Sequence, residues 1–106
     1  MSSDLKLLLT THDDPLLARV LAKTLVEQQA AACVNIITNA VSVFNWEGEI
    51  QTEDELLLLI KTTAEHIASV RSIIEENHTY EVPELVEIEG TVLHKPYMEW
   101  VRSCLE

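Results

Sequence analysis

Residues 33–62 read CVNIITNAVSVFNW, then EG, then EIQTEDELLLLIKT. β-Branched and aromatic side chains crowd the first run: Val34, Ile36, Ile37, Val41, Val43 and Phe44. Glu47-Gly48 is a turn signal, and a second extended run follows it, so the stretch is a β-hairpin of unusual length. A strand from Cys33 to Trp46 extends ~46 Å at ~3.3 Å per residue. A domain of this size has a radius of gyration of only ~13 Å. The hairpin tip therefore projects beyond its own core, yet it carries Phe44, Trp46 and Ile50, which are costly to leave in water. Cover by another subunit resolves this, and a bent or bulged hairpin is the rival account. Leu56 to Ile60 is apolar at every position, so both faces of that strand call for burial, which is a second argument for an oligomer.

Upstream of the hairpin, Leu5 to Thr11 is a short apolar run that reads as a buried strand. Asp14-Pro15 then signals a helix start: the carboxylate caps free N–H groups, and proline at the first helical position gives up nothing. The helix carries a stripe of Leu17, Val20, Leu21, Thr24 and Leu25, runs to about Gln29 and exits through Ala30 to Ala32. Downstream, Thr62-Thr63-Ala64-Glu65 has the form of a capping box before a helix bearing Ile67, Val70, Ile73 and Ile74 and ending near Asn77. Residues 78–84 form a loop, Glu84 to Glu89 a strand with Val86 and Ile88 on one face, and Gly90 breaks it. Pro96 opens a last helix bearing Tyr97, Trp100, Val101, Cys104 and Leu105. The order is an α+β, ferredoxin-like βαββαβ subunit in one domain, 1–106, with a long hairpin arm and a C-terminal helix. Each crossover is expected to join parallel neighbours and to place both main helices on one sheet face, leaving the other face uncovered within a single chain.

The 106 residues carry 7 Lys plus Arg against 18 Asp plus Glu, a formal charge of −11, which argues against nucleic acid and against anionic membranes while suiting cations. Apolar residues make up 47 %, enough for a core, so the acidity does not mean disorder. The N-terminus has neither a basic region nor a long apolar stretch, and the longest aliphatic run is far shorter than a membrane helix needs, so a cytoplasmic protein is expected. Cys33 and Cys104 are far apart in sequence and are expected to be free thiols.

Several blocks together resemble the CutA divalent-cation-tolerance family: Ala31-Ala32-Cys33-Val34-Asn35-Ile36, Trp46-Glu47-Gly48, Lys61-Thr62-Thr63, His78-x-Tyr80-x-x-Pro83-Glu84 and Tyr97-x-x-Trp100. They stand in the family's order and cover nearly the whole chain. The resemblance implies a homotrimer whose hairpins embrace neighbouring subunits, a cytoplasmic bacterial or organellar setting, a connection to copper tolerance, and no established enzymatic activity. The trimer is similar to that of nitrogen-regulatory signalling proteins, which bind small ligands between subunits, so a sensor role follows by analogy. The family's proposed copper ligands are a thiol at the end of the first strand and two adjacent histidines. Here Thr10 and Asn77 hold two of those positions and only His78 remains, so copper or another divalent cation is expected to bind weakly, with no cofactor required.

The residues leave two functional readings open. One is a trimeric metal-response protein acting by binding, with His78 as metal ligand. The other is a trimeric sensor or scaffold that holds a small anion in an inter-subunit cleft lined by Lys61, Tyr80 and Glu84. Lys61 either snorkels, pairs with Glu84 or binds the anion. Cys33, Trp46, Tyr80 and Trp100 are read as packing or interface groups. The acids Glu47, Glu49, Glu53, Asp54 and Glu55 either keep the arm solvated or hold hard cations weakly. His12 beside Asp13 has no nucleophile placed with it, and no GxSxG, P-loop or HExxH is present, so catalysis is not expected. A partner protein cannot be named from these residues.

Overall fold

The apolar run of the second hairpin strand takes the centre of the sheet. The computed structural model describes residues 5–106. Its elements are β1 (Leu5–His12), α1 (Pro15–Glu27), β2 (Cys33–Trp46), β3 (Glu49–Thr63), a 3₁₀ turn at Ala64–His66, α2 (Ile67–Asn77), β4 (Val86–Glu89) and α3 (Lys95–Cys104). The sheet order is β2-β3-β1-β4, and every hydrogen-bonded pair is antiparallel. This corrects the expectation of parallel neighbours. A crossover does run from β1 through α1 to a parallel β2, but the tight hairpin then folds β3 into the gap between them. Among the described residues the result is an α+β fold with a four-stranded antiparallel sheet and three α-helices.

Leu56, Leu58 and Ile60 of β3 are buried with Leu8 under Leu21 and Leu25 of α1 and Val70 and Ile74 of α2. Helix α1 starts as expected, with Asp14 Oδ1 accepting from Leu16 N–H at 2.9 Å and Leu17 N–H at 3.0 Å. Its buried face is Ala18, Leu21, Ala22 and Leu25, while Leu17 and Val20 are turned to solvent. The two alanines, one turn apart, let the helix sit close to the sheet and rotate the expected stripe. The helix ends at Glu27 rather than near Gln29, and Gln29 adopts φ 57 in the left-handed region that terminates helices.

The expected capping box does not form. Thr62 and Thr63 stay in β3; the Thr62 hydroxyl donates to the Ala30 carbonyl at 2.6 Å, and Thr63 Oγ1 lies 2.8 Å from His66 Nδ1. Thr62 thereby satisfies a carbonyl at the exit of α1, and α2 begins only after the 3₁₀ turn. Strand β4 is shorter than expected, starting at Val86 and pairing only with Lys6–Leu9. Its outer acids serve Lys6, whose ammonium lies 2.8 Å from Glu89 and 3.7 Å from Glu87.

The second sheet face is partly covered, not bare. Met98, Val101 and Leu105 of α3 pack on Leu5 and Ala32, with Leu7 half-buried beside them. Farther along, Leu57 and Leu59 are half-buried and Ile37, Val86 and Ile88 are exposed.

The arm is long and also bulged. Ile37 pairs with Leu57 and Ala40 with Glu55, so Thr38 and Asn39 stand against Leu56 alone, with Asn39 at φ 65. Glu47 (φ 52) and Gly48 (φ 86) close the hairpin in the left-handed geometry that matches strand twist, and Asn45 Oδ1 accepts from Gly48 N–H. The molecule extends 46 × 24 × 22 Å with a radius of gyration of 14.5 Å, and Trp46 at the tip is 48 % exposed.

Candidate functional site

Strand alternation sends Thr10 and His12 to the helix-covered face of β1 and Thr11 to the other. All three are buried at the strand's end, where the segment after α2 meets the root of the arm. His78, the cap just beyond α2, reaches across: its Nε2 lies 2.6 Å from the Thr11 carbonyl, and its Nδ1 accepts from Tyr80 N–H at 3.0 Å. An acceptor at Nδ1 assigns the proton to Nε2, which donates to Thr11. His12 repeats the device, its Nδ1 accepting from Asp14 N–H at 3.0 Å. The two imidazoles stack with centroids 4.5 Å apart, and the Tyr80 ring lies 4.5 Å from His78. Burial, then the neighbouring His78, holds His12 below the ordinary imidazole value.

Tyr80 Oη donates to Glu55 at 2.5 Å. Burial and then this bond push the Tyr80 hydroxyl well above the ordinary phenol value. Burial alone would raise Glu55, but hydrogen bonds from Ser42, Tyr80 and Thr11 outweigh it and hold the carboxyl below the usual range. Glu55 is thus a buried carboxylate kept ionised by its donors.

From this network at the arm's root a cavity of about 660 Å³ runs along the arm as far as Trp46 near the tip. Among the described residues its wall includes the acids Asp13, Glu53, Glu55, Glu81 and Glu84 and the aromatic residues Phe44, Trp46 and Tyr80, with no Lys or Arg. Like-signed carboxylates around a concave surface concentrate negative potential and favour a cation over an anion.

The structure brings His78, Tyr80, Glu84 and Trp46 to this region. Lys61 lies elsewhere, paired in register with Cys33 and with Leu7, and makes no ion pair with Glu84. Cys33 and Cys104 are free and half-buried, and Trp100 is on α3 beside Tyr97 at 5.7 Å. Thr10 is fully buried with Oγ1 unpaired, and Asn77 spends its amide on the Ile73 carbonyl at 2.8 Å. Both nitrogens of His78 are engaged, so a metal gains one only when a hydrogen bond breaks. Among the described residues, no group of three or more His, Cys, Asp or Glu is arranged to hold a metal ion. The three copper positions of the resemblance therefore make no preformed site in this conformation.

Two residues central to the network escaped sequence reasoning. In sequence His12 stands out only through its neighbour Asp13, but alternation puts it on the same face as Thr10. Glu55 stands among the arm's acids in sequence, but it adjoins the apolar run and shares the face of Leu57.

The sequence model of a family described as CutA1 divalent ion tolerance protein matches residues 6–104. The chain is 40 % identical to the divalent-cation tolerance protein CutA of Thermus thermophilus over 81 % of its own length and 84 % of that protein's. It is 34 % identical to the human protein CutA over 84 % of its length, but spans only 50 % of that relative. The crystal structure of CutA from Xylella fastidiosa superposes with a TM-score of 0.94 at 33 % identity, covering 98 % of this chain and 100 % of the other. CutA1 from Oryza sativa superposes with a TM-score of 0.94 at 30 % identity, covering 99 % and 96 %.

Proposed function

The chain belongs to the CutA1 divalent ion tolerance protein family, and on that premise we propose that it is a ferredoxin-like subunit of a homotrimer that responds to divalent cations by binding them, without catalysis. The observation that carries the reading is the acidic lining of the arm-root cavity: among the described residues five carboxylates and no basic side chain face it, and although no three of them converge on one point, together they concentrate negative potential. Oxygen donors of this kind suit hard cations. Copper or zinc would use the imidazole of His78, and that ligation competes with the bond to Thr11 and is weak for this reason. The half-exposed Trp46 and the exposed Ile37, Val86 and Ile88 support a trimer in which neighbouring arms cover apolar surface. Two free thiols suit a reducing, cytoplasmic setting. No helix among the described residues is long and apolar enough to cross a membrane.

The test is titration of the assembled protein with Cu²⁺, Zn²⁺, Mg²⁺ and Ca²⁺ and with a panel of nucleotides and organic acids, at pH 7.5. The proposal expects cation binding and no anion binding. Restoring family ligands with Thr10→Cys plus Asn77→His is expected to strengthen copper binding by an order of magnitude or more, since even outer-shell losses change metal affinity ~10–100-fold. Tight binding of an anion with no response to cations would overturn it.

A further inference from the structure

We propose that residues 79–85 are a movable strap, latched to the root of the arm by Tyr80, that partitions two cavities and joins them when the latch opens. The backbone of this segment is held almost entirely by side chains. The last helical bond is His78 N–H to the Ile74 carbonyl at 2.9 Å, the β ladder resumes only at Val86 opposite Leu9, and between those points residues 79–85 make no backbone–backbone hydrogen bond among the described residues. What holds the strap is the Tyr80 N–H on His78 Nδ1, the Tyr80 hydroxyl on Glu55, the ring packing on His78, and Leu85 against the core. Thr79, Glu81, Val82 and Glu84 are exposed. Segments with few buried contacts and no ladder open locally without global unfolding.

The strap stands between two spaces. One is the arm-root cavity; the other, of about 620 Å³, lies between α2 and the sheet edge over Leu8 and Ile74. Tyr80 and Glu81 line both. Glu81 and Glu84 also share the arm-root wall with Asp13, Glu53 and Glu55, so like charges push the strap outward and the Tyr80–Glu55 bond opposes them. With that bond broken the strap pivots on its remaining anchors, the His78 contacts and Leu85, and the cavities join while β1 and β3 stay paired. This goes beyond cation binding, because it assigns a moving part whichever ligand the protein takes.

Limited proteolysis of the full chain with a glutamate-specific protease tests the latch. Tyr80→Phe removes the hydroxyl and keeps the ring. It is expected to speed cleavage after Glu81 and Glu84 at least tenfold while cleavage after Glu27 and Glu75 stays within twofold. Should that variant not fold, Glu55→Gln keeps the side chain's shape, weakens the acceptor, and is expected to give the same selective acceleration at smaller size. Unchanged cleavage at Glu81 and Glu84, or equal acceleration at all four sites, overturns the proposal, since the first leaves no latch and the second is general destabilisation.

Discussion

Replacing His12 by glutamine is expected to flatten the acid limb of the stability curve, beginning near pH 6.5. The folded chain buries His12 completely, spends its Nδ1 lone pair on Asp14 N–H, and stacks it on a second imidazole. Protonation would break the Asp14 bond and place a charge where water cannot reach it, so the folded imidazole is held below the ordinary histidine value of about 6.5. The sign follows directly. Above pH 6.5 both folded and unfolded forms are neutral, and the group's pH-dependent contribution is constant. As the pH falls below 6.5 the unfolded chain takes a proton that the folded chain refuses, and stability drops. The slope reaches about 1.4 kcal/mol per pH unit for one proton and persists until the folded pKa is passed. Glu55 is also depressed, but its loss starts lower, from the ordinary glutamate value of about 4.5, so the two windows separate. Denaturant unfolding at fixed protein concentration, for wild type and His12→Gln between pH 8 and 5, reads the difference. Glutamine retains an acceptor for Asp14 N–H, so the comparison isolates the titration. Parallel pH curves for the two proteins, or a wild type that gains stability on acidification through this window, would refute the reasoning.

Two threonines give opposite expectations when replaced by valine. Thr10→Val removes a buried, unpaired hydroxyl and is expected to stabilise, whereas Thr62→Val strips the Ala30 carbonyl of its donor and is expected to cost about 1–3 kcal/mol, both read by denaturant unfolding. Trp46→Ala is expected to weaken assembly, by about 3 kcal/mol or more per subunit if a neighbour buries the indole. Light scattering at micromolar concentration should show three times 12.0 kDa for wild type and dissociation for the variant.

Elements specified by local chemistry were legible in the sequence. Asp14-Pro15 caps α1, Glu47-Gly48 turns the hairpin, and Leu56–Ile60 marks one of the two interior strands. What depended on tertiary placement was not. The large apolar groups along α1 point to a stripe that leaves out Ala18 and Ala22, whose smallness sets the helix against the sheet. Thr62-Thr63-Ala64-Glu65 fits a capping box by spacing, but Thr62 is drawn into β3 by the Ala30 carbonyl 32 residues away in sequence. Nothing near α3 signals that it folds back over Leu5. The site shows the same division: His78 and Tyr80 stand in a recognisable segment, whereas their partners Thr11, His12 and Glu55 come from two other strands and meet them only in the fold.

Calorimetric titration of Mg²⁺, Ca²⁺, Zn²⁺ and Cu²⁺ into wild type and into the Glu53→Gln plus Glu84→Gln variant tests the central claim most directly. Both carboxylates line the arm-root cavity and neither appears in the hydrogen-bonded latch. The account predicts that wild type takes up divalent cations and that the paired substitution weakens uptake about tenfold or more, with the folded assembly intact. Cation binding of equal strength in both proteins, or none in wild type, would contradict it.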